Sequence, residues 1–145
     1  MIKDTYPYVQ VRDELAYVFR SEGINGVIVK VVIFTLNNDG KWNLAFGDWL
    51  NGDINDRVMT NNHDVVKVIG TVAKITYDFF EKYPNAIVVV EPVDEKRKKL
   101  YNIVFQRHHT TINGNFQVKG LNDAEIEIYS PAKTYESFEL SLKFN

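Results

Sequence analysis

Hydrophobic residues along this chain change period twice, and the changes divide it into sheet, helix, strand, helix and sheet again. After an aromatic lead (Tyr6, Tyr8), Leu15 to Phe19 alternate as a first strand, and Ser21-Glu22-Gly23 reads as a turn. Ile24 to Leu36 places Val27, Val29, Val31 and Ile33 on one parity and Ile28, Val32, Phe34 and Leu36 on the other. Only Lys30 and Thr35 interrupt it, which predicts a central strand covered on both faces. Asn37-Asn38-Asp39-Gly40 supplies the residues that tolerate the backbone of a tight hairpin. Trp42 to Trp49 then returns antiparallel, with Trp42, Leu44 and Phe46 facing one way.

The period then lengthens. Asn51 to Asp64 is a polar loop that Val58 and Met59 pin to the body as a short strand, and beyond it Val65, Val68, Ile69, Val72, Ile75, Phe79 and Tyr83 recur at three- and four-residue steps. That spacing lays one apolar stripe along a helix over about 64–83, with Asn62 or Asp64 available to cap its first amides. Gly70 and Ala73 are small enough to admit a close neighbour, and Pro84 ends the helix. Ala86 to Val90 has no polar alternation and reads as an interior strand. A second helix over about 95–109 carries Leu100, Tyr101, Ile103, Val104 and Phe105. Strands follow at Asn115–Val118, Glu125–Tyr129 and Ser137–Phe144; in the last, Phe138, Leu140, Leu142 and Phe144 alternate with polar residues, predicting one wet face.

The sum is an α+β fold: a single domain over 1–145, with a mixed, mainly antiparallel sheet and two main helices. A chain of 145 residues can bury a core without cross-links, and it has no cysteine, which removes disulfides and thiolate metal sites. The N-terminus lacks the apolar core of a signal peptide, and no run approaches the roughly 20 apolar residues of a membrane helix. A cytoplasmic protein is expected. The formal net charge of −2 weighs against a nucleic-acid binder, which carries a basic surplus to neutralise phosphates.

Candidate chemistry is sparse. Lys96-Arg97-Lys98-Lys99 lies in the first turn of the second helix, where cations are mildly unfavourable; the mismatch suits an anion site, while a solvated helix face is the commoner meaning of such a run. His108 and His109 are adjacent, so on a helix they diverge by about 100° and do not share one metal. The Asp48, Asp53 and Asp56 region lacks the ordered ligand spacing of a calcium loop, and no metal site is expected. No phosphate-binding glycine loop and no serine nucleophile elbow occur.

Six segments carry a resemblance: Tyr17–Gly23, Asn43–Asp48, Asn61–Asp64, Val68–Ala73, Glu81–Pro84 and Arg97–Tyr101. Taken together they resemble a family of short bacterial proteins with no established activity. Separately, the order helix, buried strand, then a helix bearing Leu100-Tyr101 is similar to the latter half of the GNAT acyltransferases. That resemblance implies Tyr101 as the general acid toward a departing thiolate, with coenzyme A as the acyl carrier. The chain departs from it at the pyrophosphate loop, where Asn61–Asp64 holds no glycine and Gly70 falls inside the helix. Phe105-Gln106 also stands where a Gly-Phe usually follows.

Two expectations follow, with no cofactor assigned by the residues themselves. The first is a non-catalytic interaction or regulatory module that binds a protein partner or itself, suggested by the abundance of Tyr and Trp. The second is a divergent acyltransferase or a binder of a small anionic, nucleotide or coenzyme A-type ligand. Its site would gather Asn62, His63 and Asp64 at the first helix start with Lys96, Arg97 and Tyr101.

Overall fold

The computed structural model describes residues 4–50, 52–55 and 62–143. Strands β1 (Tyr8–Gln10), β2 (Ala16–Gly23), β3 (Gly26–Leu36), β4 (Trp42–Leu50) and β5 (Asp53–Asn55) come first. Helix α1 (Val65–Lys82), β6 (Val88–Val90), α2 (Glu95–Asn115), β7 (Phe116–Asn122), β8 (Glu125–Ile128) and β9 (Ser137–Leu142) follow. One sheet runs β1-β2-β3-β4-β6-β9-β7-β8, and β5 extends β4 off this path. Every pairing is antiparallel except that of β4 with β6. The fold is the expected α+β arrangement.

Chain direction decides where the helices go. The connection from β4 through α1 to β6 and that from β6 through α2 to β7 both advance the same way across the sheet, and β9 slots between β6 and β7. Parallel crossovers take one hand almost without exception, so two that advance together place both helices on one face. The packing agrees, because residues of α1 and α2 share a hollow with Phe46 of β4, Val90 of β6, Leu140 of β9 and Phe116 of β7.

That face carries an aromatic core. Phe79 of α1 stacks on Phe34 of β3 with centroids 4.2 Å apart, and Phe105 of α2 stacks on Phe138 of β9 at 4.0 Å. Trp42 meets Phe79 edge-on, Tyr17 meets Phe34 the same way, and Phe80 leans on Phe116. Such pairs add about 0.5–1.5 kcal/mol each beyond the area they bury. Gly70 admits the N-terminal segment, since a Cβ there would stand 2.5 Å from the Asp4 carbonyl oxygen. The small residue in the helix pattern therefore has the packing reason expected of it.

Several boundaries differ from the sequence expectation. The Ser21-Glu22-Gly23 turn is strand, and the chain reverses at Ile24-Asn25 instead, Gly23 pairing with Gly26. Local composition marked a turn there, but the register with β3 carries β2 further. Tyr8–Gln10 and Asp53–Asn55 are strands because β2 and β4 offer edges to pair with, a tertiary cause no local pattern displays. Val58 and Met59 lie outside the described residues. Helix α2 continues to Asn115, across a kink at His108 (φ −112°, ψ 16°) where the expected helix stops. The central strand is covered on both faces only in part: the helices cover Val32 and Phe34, and on the opposite parity Val31 is 1% exposed whereas Val27 is 59% exposed. The last strand lies inside the sheet, and its Glu139 is buried, receiving Lys41 Nζ at 2.7 Å on a face expected to be wet.

Candidate functional site

Strands β4 and β6 pair only through Trp42 with Val88 and Asn43 with Val89. The Trp42 amide donates to the Ile87 carbonyl at 2.8 Å, and the ladder then stops. Beyond Val90 come Glu91 and Pro92, which form no ladder with β4. A cleft of about 270 Å³ occupies the gap, lined by Asn43 to Phe46 on one side, Glu91, Pro92 and Val93 on the other, and Tyr101 of α2.

A second hollow of about 150 Å³ lies behind it, between the sheet and the two helices. Leu44, Phe46 and Tyr101 line both. The inner hollow is otherwise walled by apolar side chains of α1 (Val68, Val72, Ala73) and α2 (Leu100, Val104, Phe105) over Val90, Phe116 and Leu140. Its other polar side chain, Thr76, donates its hydroxyl to the Val72 carbonyl at 2.8 Å. The hollow is open at its edge, where Val65 on its wall is 49% exposed.

The six residues singled out from the sequence do not gather here. Tyr101 alone lines the cleft and the hollow. Asn62 is buried and ties the α1 start to the β2–β3 hairpin: its amide nitrogen donates to the Gly26 carbonyl at 2.8 Å and to Ser21 Oγ at 3.1 Å, and its oxygen accepts from the Asn25 amide at 2.6 Å. The hairpin presses so closely that a Cβ on Gly23 would stand 2.0 Å from the Asn62 carbonyl oxygen. His63 is exposed with a left-handed backbone (φ 59°).

Asp64 occupies the N-cap position of α1 without capping it. Its Oδ2 instead receives Tyr6 Oη and Ser21 Oγ, both at 2.5 Å. Burial, and then this bond to a carboxylate, push the Tyr6 phenol above its usual pKa. The amides of the first turn consequently donate no hydrogen bond to the Asp64 side chain, the turn carries no acidic residue, and Val65 lines the inner hollow. Lys96 is exposed on the first turn of α2, and Arg97 next to it is buried. Asp94 caps that helix by accepting the Arg97 amide at 2.7 Å. Lys98 reaches Glu136 at 2.8 Å, a hydrogen bond that raises the lysine pKa. The basic run thus scatters its side chains in different directions.

One polar pair escaped the sequence reading. Lys30 Nζ lies 2.7 Å from Asp48 Oδ1, with both side chains at 3% exposure or less. The strand register sets the two residues opposite each other, on the parity of Phe46 and Val32 beneath the helices. The signal available was a lysine in an otherwise apolar strand and an aspartate on the buried parity of its hairpin partner. Among the described residues no group of three His, Asp or Glu side chains is placed to hold a metal, and no helix is long and apolar enough to cross a membrane. Lys30→Met should lower unfolding free energy in urea by about 3–5 kcal/mol, because Asp48 stays buried without its lysine; adding Asp48→Leu should restore most of it. A single substitution costing under about 1 kcal/mol would show that the pair does not anchor the hairpin.

No curated protein and no solved structure matches the sequence significantly. A family model does, over residues 2–143. The chain belongs to the family of unknown function DUF6934.

Proposed function

We propose that this protein binds an acyl thioester of the coenzyme A type in the cleft between β4 and β6. The observation that carries the reading is the interrupted parallel pair, beside which lie a cleft bearing Asn43 and Glu91 and an apolar hollow, both lined by Leu44, Phe46 and Tyr101. Helix α1, strand β6 and helix α2 bearing Leu100-Tyr101 follow one another in the order on which the GNAT resemblance rests. The fit to the ligand is mixed in a definite way. No acidic residue stands in the first turn of α1, but its N-cap is the Asp64 carboxylate, which opposes a phosphate there. Asn62 and Asp64 belong to the scaffold, so they are removed from the ligand set. Tyr101 remains the one candidate for proton donation to a thiolate, a role that rests on the resemblance.

Calorimetry with acetyl coenzyme A tests the reading. Heat of binding should be measurable for the native chain and absent when Ala45→Trp fills the cleft, while Tyr101→Phe should bind within about threefold of the native protein because the ring that lines the cleft is kept. No heat and no thermal shift with acetyl coenzyme A would remove the reading.

A second reading is favoured by the uncovered face of the sheet. Val18, Val29, Ile33, Ala45, Val89 and Leu121 point away from the helices and are half-buried, with Val9, Val27, Trp49, Ile126 and Ile128 exposed around them. The occupant proposed is a second copy of the chain. Eight strands about 4.8 Å apart and roughly 20 Å long present roughly 750 Å², close to the ~800 Å² each partner gives to a stable interface. Lys41 and Glu139 pair within the face, and Arg20 and Lys119 share it. Sedimentation should show a dimer in the micromolar range that Ile33→Glu converts to a folded monomer. A native chain that stays monomeric at a hundred micromolar would exclude this occupant.

A further inference from the structure

Helices α1 and α2 flank the hollow instead of packing on each other, and the two lips they raise over it differ in charge. On α2, Lys96, Leu100, Ile103 and Arg107 succeed one another at steps of four, three and four residues, which aligns them along the helix. Leu100 lines the hollow, so this line is its rim; Lys96, Ile103 and Arg107 are exposed, and Lys99 stands beside them. Among the described residues, Lys96, Lys99 and Arg107 make no ion pair. On α1 the corresponding line is Val66, Gly70, Ala73 and Tyr77, which carries no charge and exposes Val66 and Tyr77. Between the lips the α1 wall runs from Val65 to Thr76, about 16 Å or three helical turns. A row of exposed cations is ordinary on a solvated helix face, but this row borders an open apolar surface, and such surfaces mark interaction sites.

We propose that this groove docks an amphipathic helix of a partner protein, apolar on one face and acidic along the flank that meets α2. The occupant follows from shape and charge. A hollow of about 150 Å³ admits side chains but not a helix about 10–12 Å across, so the docked helix rides on the two lips and lowers one row of residues between them. Anchors at i, i+3, i+4 and i+7 span about two turns and fit within the length of the groove. Carboxylates on one flank meet Lys96 and Arg107, while the other flank rests on Val66 and Tyr77. A second copy of the chain is not complementary here. A two-fold contact sets one cationic lip against the other, or against the uncharged lip of α1, and neither lip supplies a carboxylate.

Titration of methyl-labelled protein with two synthetic helical peptides tests the docking. Both peptides carry leucines at i, i+3, i+4 and i+7; one bears glutamates along a flank and the other bears lysines at the same positions. At low salt the acidic peptide should bind about tenfold more tightly than the lysine peptide, and it should weaken as salt is raised. It should shift the methyl resonances of Ile69, Val72, Leu100 and Val104, which line the hollow. Lys96→Glu combined with Arg107→Glu changes two exposed side chains, is checked for folding by circular dichroism, and should reverse the preference. Absence of binding, equal affinity for the two peptides, shifts confined to Val29 and Ile33 on the uncovered face, or a preference untouched by the double variant would overturn the proposal. Binding to vesicles of anionic lipid without binding to the acidic peptide would also overturn it and give the cations to a membrane surface. No arm contains acetyl coenzyme A, so the cleft reading stands or falls separately.

Discussion

The short parallel pairing of β4 with β6 is the constraint on which the rest of this structure depends. Two parallel strands need a crossover, the crossover is α1, and α1 has to lie over the sheet it has just left. With Val68, Ile75, Phe79 and Phe80 buried, the helix is seated firmly, and the strands beneath it pair only at Trp42–Val88 and Asn43–Val89. The side chains that would fill a closed core there, Leu44 and Phe46 from β4 and Val90 from β6, line a hollow instead. The binding readings therefore derive from a packing conflict, and the cleft does not depend on a mobile loop or a special motif.

The position of α1 has its own cause. Its N-terminus is tied to the β2–β3 hairpin by Asn62 and Asp64, and a hydrogen bond from the Tyr6 amide to Thr71 Oγ1 at 2.8 Å binds the lead segment to the middle of the helix. Further along, Tyr8 donates to Asp78 from the first strand. Buried polar networks of this kind fix one geometry, because each member leaves an unsatisfied partner if the helix shifts. The same residues that looked like ligand contacts thus act as the clamp that holds the cleft's helical wall, and the buried Lys30–Asp48 pair secures the sheet next to it.

What could be read from the sequence was what local pattern controls. The period-two run of β3, the Asn37–Gly40 hairpin, the stripe of α1 and the stop at Pro84 are each decided within a few residues, and each is present. The short strands β1 and β5 were not legible, because pairing with a distant edge makes them strands. Site residues fared differently for the same reason. Asn62 and Asp64 were recognised as able to bond amides, but whether they meet a ligand or a hairpin depends on the approach of Gly23, which lies far off in sequence. Tyr101 was reached through the order of elements and the Leu100-Tyr101 pair, and it does line the cleft. Lys30 and Asp48 became a pair only through the β3–β4 register.

The most direct test of the central claim is a crystal structure of the protein grown with acetyl coenzyme A. The account predicts density for the thioester between Asn43–Phe46 and Glu91–Val93, beside Tyr101. Side-chain density from Leu44, Phe46 and Val90 collapsed into that space, with no ligand between the strands, would contradict it.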